Sequence, residues 1–202
     1  EVQLSALLEQ TLAPAQYATN VATRPGSGER VEFAIRLPGR EGDGERSVWL
    51  PIDAKFPLED YQRLLEAQEA GDRDGAGAAA RELEKRVRGC ARDVQSKYVE
   101  PPHTTDFAIL FLPVEGLYAE VLRRPGLVDT LQRDHRITLA GPTTLLAMLN
   151  SLQMGFRTLA IEKRSSEVWT ILSAVKGELD KFGLLLDGVQ KKLQEASNKM
   201  DD

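Results

Sequence analysis

Two short stretches, Val31–Leu37 and Val48–Ala54, alternate with period two, and the Gly- and charge-rich segment Pro38–Arg46 separates them. Such alternation marks strands with one buried face, so the pair is expected to form a β-hairpin. Val31, Phe33, Ile35 and Leu37 share one face of the first strand, and Val48, Leu50, Ile52 and Ala54 share one face of the second, because successive side chains point to opposite sides. An antiparallel pairing symmetric about the loop sets 31 against 54, 33 against 52, 35 against 50 and 37 against 48. A one-residue slip would turn one apolar set to solvent. On the other face Glu32 then stands across from Asp53, with Lys55 two residues further along. Pro51 cannot donate to a ladder and therefore predicts an edge strand or a bulge.

The rest of the chain reads as helices with two further strands. Val2, Leu4, Leu7, Leu8 and Leu12 have near-helical spacing, and Pro14 stops that run. Leu58, Tyr61, Leu64 and Leu65 predict a helix up to Gly71. After Gly75–Ala80 a longer helix is expected to about Val99, with Leu83, Val87, Cys90, Val94 and Tyr98 on one face and Pro101-Pro102 as its stop. Phe107–Leu112 is apolar on both faces, which predicts a strand in the middle of the sheet. A helical connection from Leu117 to Asp134, broken near Pro125-Gly126, leads to a strand at Ile137–Ala140, a β-α-β unit expected to cross right-handedly. Gly141-Pro142-Thr143-Thr144 opens a helix through about Ile161, with Thr143 or Thr144 as N-cap. Val168, Leu172, Val175, Leu179, Phe182, Leu186, Val189 and Leu193 then repeat in alternating steps of four and three, the seam of a helix that packs on a partner. The expected class is α/β, a mixed central sheet flanked by helices over 1–163 and a long C-terminal helix over 164–202. That helix is expected to form a coiled coil, either with a second copy through 168–193 or with a partner helix.

Composition narrows the function classes. With 26 Lys+Arg against 31 Asp+Glu among 202 residues, the net charge of −5 argues against a generally basic nucleic-acid binder, although a local basic cleft is compatible with it. A lone Cys90 rules out an intramolecular disulfide, and with only His103 and His135 beside it a structural Cys/His zinc site cannot be built. No apolar run approaches the roughly 18 residues of a membrane span. The start Glu1-Val2-Gln3 has no signal-peptide character. The chain is therefore expected to be soluble and cytoplasmic, without membrane contact, and a fragment to whose N-terminal side a membrane anchor or coiled coil could belong.

The hairpin face carries the chemistry. Opposed carboxylates on neighbouring strands, with Cβ atoms about 4.5–5.5 Å apart, repel unless something positive lies between them. A magnesium ion, or manganese in its place, suits Glu32 and Asp53, since magnesium takes one or two protein carboxylates and completes its shell with water and phosphate oxygens. Lys55 would position the attacking water or stabilise charge on phosphorus. The bland alternative is an ordinary surface ion pair worth about 0–1 kcal/mol. Glu115 follows the apolar strand; it is either a ligand-contacting acid at a strand's C-terminal end or a helix-start acid favoured by the dipole. Arg81, Lys85, Arg88 and Arg92 form a stripe that is either a solvated face or a set of DNA phosphate contacts. Cys90, Trp169 and Phe182 are read as packing residues.

These same residues carry a resemblance. Glu32-Phe33-Ala34-Ile35-Arg36-Leu37-Pro38, then Ile52-Asp53-Ala54-Lys55-Phe56-Pro57-Leu58 with Tyr61, then Asp106-Phe107 through Leu112-Pro113-Val114-Glu115, then Gly141-Pro142-Thr143-Thr144-Leu145-Leu146 resembles, in this order, the bacterial RmuC family of DNA recombination proteins. The resemblance covers nearly the whole chain. It implies a PD-(D/E)xK (restriction-endonuclease-like) core, in which a first-helix acid, a second-strand acid and a third-strand D/E-x-K surround magnesium. Glu32 then stands at the second-strand acid, Asp53 and Lys55 at the third-strand pair, and Glu1 at the first-helix acid, with Val31-Glu32 where the motif has Pro-Asp. The implied function is a magnesium-dependent DNA nuclease acting in recombination. The alternative is a DNA-binding or scaffolding module that keeps the fold without cleaving.

Overall fold

The computed structural model describes the backbone of residues 2–38, 47–55 and 57–200 and, among them, the side chains of all but 163, 187 and 194–200. Most of the hairpin loop and Phe56 thus lie outside the described residues. The chain divides into two compact units, Glu1–Gln153 and Met154–Asp202.

The first unit is built on a five-stranded mixed sheet in the order β1 (Tyr17–Val21), β2 (Val31–Leu37), β3 (Val48–Ala54), β4 (Ala108–Phe111) and β5 (Ile137–Ala140). The β2–β3 pairing is antiparallel and sets Phe33 against Ile52, Ile35 against Leu50 and Leu37 against Val48, the register that the apolar alternation demands. On its other side β3 pairs with β4 in parallel, and β4 pairs with β5 in parallel. Strand β1, antiparallel to β2, was not expected from the alternation: Tyr17-Ala18-Thr19-Asn20-Val21 is an edge strand with no fully buried residue, so it carries no apolar period.

Pro51 is thereby corrected. It sits in the middle strand of the sheet rather than at an edge. Trp49 and Lys55 donate their N–H groups to His103 and Phe111 carbonyls on the β4 side, at 3.0 and 3.1 Å. By alternation the missing N–H of Pro51 would face that side too, and the β4 ladder begins only at Ile52. The proline falls where no partner is required. Strand β4 is interior, one place off centre, and all four of its residues are buried.

One face of the sheet is covered by helix α3 (Arg73–Tyr98) and helix α5 (Leu127–His135), following α2 (Leu58–Glu69) and α4 (Glu115–Leu122) respectively. Ala34, Ala108, Leu110, Ile137 and Leu139 form a core there with Leu83, Val87, Val94, Leu127 and Leu131. Phe33, Ile35, Leu50, Ile52, Ile109 and Phe111, on the other face by alternation, are buried as well. Among the described residues, Leu4 and Leu8 of α1 (Val2–Thr11) and Leu145 and Leu149 of α6 (Pro142–Met200) are the apolar helix residues buried outside the first cluster.

Two helix boundaries differ from expectation. Helix α3 starts at Arg73 and includes the Gly/Ala stretch, because Asp72 caps it by accepting from Gly75 N–H at 2.9 Å. A Cβ at Gly75 would lie 2.2 Å from that carboxylate. Helix α6 begins at Pro142 and runs unbroken past Ile161, so Thr143 and Thr144 lie inside its first turn. Its cap comes from another element: Glu115 Oε1 accepts from Thr143 N–H at 2.6 Å. Gly141 makes that approach possible, since a Cβ there would meet Tyr118 at 2.8 Å and Glu115 Oε2 at 2.9 Å. Beyond Met154 the described residues of the helix are exposed apart from the half-buried Phe156 and Gly177, and no helix among the described residues is long and apolar enough to cross a membrane.

The cap predicts a pH-dependent stability. The hydrogen bonds with Thr143 hold the Glu115 carboxyl below its ordinary 4.5. A depressed carboxylate pKa contributes stability that is present above the ordinary value and lost as pH falls through the folded one. Glu115→Ala should cost about 0.5–1 kcal/mol in urea unfolding at pH 7, and the cost should shrink as pH is lowered below the ordinary 4.5. A cost that does not change with pH would show that the carboxylate charge is not the cause.

Candidate active site

The strand register brings three polar groups to one place. Asp53 pairs with Leu110 of β4, so its side chain emerges on the face covered by α3, where it is only 1% exposed. Lys55 prolongs the ladder by donating its N–H to Phe111, which returns its side chain to the face of Asp53. Its Nζ lies 3.0 Å from Asp53 Oδ2 and 3.3 Å from Oδ1. The β2–β3 register, carried one residue beyond Phe33 and Ile52, sets the half-buried Glu32 opposite Asp53. Because β2 is antiparallel, its beginning meets the C-terminal end of β3, where α/β sheets place ligand sites.

Burial dominates the electrostatics. It pushes the Asp53 carboxyl above its ordinary 3.8, and the Lys55 ammonium, by hydrogen bond and by charge, opposes that rise. For Lys55, burial presses the ammonium down, but the hydrogen bond to Asp53 and the charges of Asp53 and Glu32 outweigh it, and the net direction is upward. Lys97 and Asp93 of α3 also act on Asp53. Burial raises Cys90 and Tyr98 of the same helix, with Asp53 and Lys55 contributing to both. Asp53 Oδ2 is fully buried and accepts no hydrogen bond; its contact with Lys55 is an ion pair without hydrogen-bond alignment. A buried carboxylate oxygen in that state, with a second carboxylate opposite, has the donor chemistry of a hard divalent cation. Among the described residues no group of three or more His, Cys, Asp or Glu could hold a metal by itself, so the described residues would supply two ligands, Glu32 and Asp53. Glu1, the expected first-helix acid, lies outside the described residues.

An open groove of about 430 Å³ runs beside Lys55, lined also by Pro57, Leu58, Asp60, Arg86 and Cys90. Two of these residues escaped the sequence reading. Asp60 is 7% exposed and holds Arg86 through Nε at 3.3 Å, with Arg63 at 3.7 Å. The available signal was that Arg86 lies three residues after Leu83 and four before Cys90, on the margin of the apolar stripe. The expected basic stripe stands apart: Arg81 and Arg92 are exposed, Arg88 pairs with Glu84 at 2.9 Å, and only Lys85, 3.7 Å from Glu82, lines the groove adjoining that of Lys55. Glu115 is not in the Lys55 groove; its carboxylate caps α6.

The RmuC family model matches residues 1–202. The chain belongs to the RmuC family. A protein of Xylella fastidiosa named DNA recombination protein RmuC homolog is 54% identical over 202 residues, all of this chain and 44% of that protein. A Pseudomonas aeruginosa protein of the same name is 27% identical, covering 93% of this chain and 42% of its own length. The Escherichia coli (strain K12) DNA recombination protein RmuC is 27% identical over 197 residues, 92% of this chain and 39% of that protein. The chain thus spans less than half the length of these curated relatives. No solved structure matches it.

The electrostatics generate a prediction for this RmuC-family site. A buried carboxyl with a raised pKa favours folding most below its unfolded pKa, and that advantage is lost as pH rises through the folded value. At neutral pH, Asp53→Asn should therefore leave stability unchanged or raise it by about 1 kcal/mol, since Lys55, 41% exposed, retains water as a partner. The gain should vanish below pH 3.8, the carboxyl's ordinary value. Thermal melts at pH 7 and pH 3.5 would check it; a large loss at pH 7 would show the ion pair to be a structural necessity.

Proposed function

We propose that this chain is a magnesium-dependent DNA nuclease domain of PD-(D/E)xK type acting in DNA recombination. The observation that carries the reading is the buried Asp53–Lys55 pair at the end of β3 with Glu32 facing it, beside an open groove. The names of the relatives supply the process, DNA recombination.

Glu32 and Asp53 would hold the metal, which when bound supplies Lewis-acid polarisation of a phosphodiester oxygen. The chain's own residues do the rest. Asp53, buried in the central strand, keeps its carboxylate in one place with little rotamer freedom. Lys55 Nζ, anchored on Asp53 and 41% exposed towards the groove, orients the attacking water or stabilises charge growing on phosphorus. Water oxygen bonds to phosphorus and gives up one proton to solvent, the bond to the sugar oxygen breaks, and that oxygen leaves with a proton from solvent. Arg86, fixed by Asp60, is placed to hold a backbone phosphate in the groove. Manganese would serve in place of magnesium.

A second reading, a DNA-binding or scaffolding module that does not cleave, draws support from one observation. Among the described residues only two carboxylates converge, and Lys55 already offsets part of the Asp53 charge.

The deciding experiment incubates linear, nicked and single-stranded DNA with the protein and millimolar magnesium or manganese. Cleavage should fall by at least about a hundredfold in Lys55→Ala, the scale of losing one electrostatic group. Magnesium should raise the melting midpoint of the wild type, as any ligand of the native state does, but not that of Asp53→Asn. DNA binding with neither cleavage nor a magnesium shift would establish the scaffolding reading.

A further inference from the structure

The second unit leaves an apolar seam uncovered. Val168, Leu172, Val175, Leu179, Phe182, Leu186, Val189 and Leu193 are between 49% and 66% exposed, and Trp169, Ile171 and Leu185 flank them at 62–68%. We propose that α6 pairs with α6 of a second copy of this chain, antiparallel and centred near Leu184.

The argument rests on self-complementarity. In the heptad the Leu residues 172, 179, 186 and 193 alternate with 168, 175, 182 and 189, and the residues flanking this core decide orientation through charge. In a parallel pair each residue preceding a core Leu meets the residue five places further along the partner. That sets Ile171 against Lys176, Glu178 against Gly183 and Leu185 against Gln190, with no pair of opposite charges. In an antiparallel pair residues on the same edge meet each other. The register that packs Val175 on Leu193, Leu179 on Val189 and Phe182 on Leu186 brings Glu178 against Lys192 twice, by symmetry. It also sets Leu185 against its own copy and Gly183 against its own copy, where the absence of a side chain lets the helices approach. Shifting this register by one heptad loses the ion pairs in either direction: pairing Val168 with Leu193 sets Glu178 against Leu185 and Lys192 against Ile171, and pairing Phe182 with Leu193 sets Leu185 against Lys192, burying apolar flanks beside charges. In the single chain Glu178 is 73% exposed and pairs with Lys181 at 2.7 Å, and Lys192 is exposed, so a partner can reach both charges.

The test uses the 202-residue chain. Light scattering should give twice the monomer mass at micromolar concentration. Glu178→Lys should raise the dissociation constant roughly tenfold, as expected when two exposed attractions become repulsions. Glu178→Lys with Lys192→Glu should restore it, because the swapped charges meet again only in the antiparallel register. In a Cys90→Ser background, spin labels at Ser173→Cys should lie roughly 35 Å apart along the axis and those at Leu184→Cys close to level, at about 1.5 Å rise per residue. Short distances at both positions would mean a parallel pair and overturn the proposal. A monomer at all concentrations, or a charge swap no better than the single change, would overturn it too and assign the seam to a segment outside this chain.

Discussion

A single carboxylate buried in the middle strand governs the organisation of the first unit. Asp53 has almost no contact with water, and its charge is offset chiefly by one half-exposed ammonium. A desolvated carboxylate of this kind is costly for a fold of ordinary stability. The sheet tolerates it because β3 is held on both sides, by an antiparallel ladder to β2 and a parallel one to β4. An edge strand carrying the same residue could twist it out to water. The cost is thus confined to a place where the backbone cannot yield, which is the condition a preorganised polar site requires.

The change of strand direction at β3 also explains why the site sits where it does. A parallel neighbour ends where β3 ends, and an antiparallel neighbour begins there. Glu32 at the start of β2 and Lys55 just past the end of β3 therefore come to the same corner of the sheet, although 23 positions separate them in the chain, and the Glu32 charge acts on the Lys55 ammonium. Helix α3 closes over this corner and contributes Cys90, Asp93, Lys97 and Tyr98 to its electrostatics. A second polar contact steadies the far side: Glu115, at the head of α4, takes the first turn of α6 and joins the end of β4 to the helix that follows β5.

Much of this was legible in the residues. The hairpin register follows from period-two alternation, since only one pairing buries both apolar sets, and the same arithmetic aligns Glu32, Asp53 and Lys55. Strand β5 and the break at Pro125-Gly126 follow from local chemistry of the same kind. Less was visible where an element is stabilised from outside itself. Strand β1 has no apolar period because it needs only backbone bonds to β2. The start of α6 is not marked locally, because its cap is a glutamate 28 positions away rather than a residue beside the helix. Pro51 points locally to an edge, whereas its tolerance in the middle strand depends on which neighbour is missing at that level of the sheet.

What the residues determine alone is periodicity: which side chains share a face, where turns fall, and that eight apolar positions on α6 form a seam. These are consequences of chain geometry, 3.6 residues per helical turn and two per strand repeat. Only the tertiary structure decides which faces are covered. It places α3 over the carboxylate face, so that Asp53 is desolvated and Lys55 is pulled against it. It brings Asp60 to Arg86 and Glu115 to Thr143, and it leaves the seam from Val168 to Leu193 open. Burial, pairing and pKa depend on what arrives from distant parts of the chain, and no local pattern specifies that.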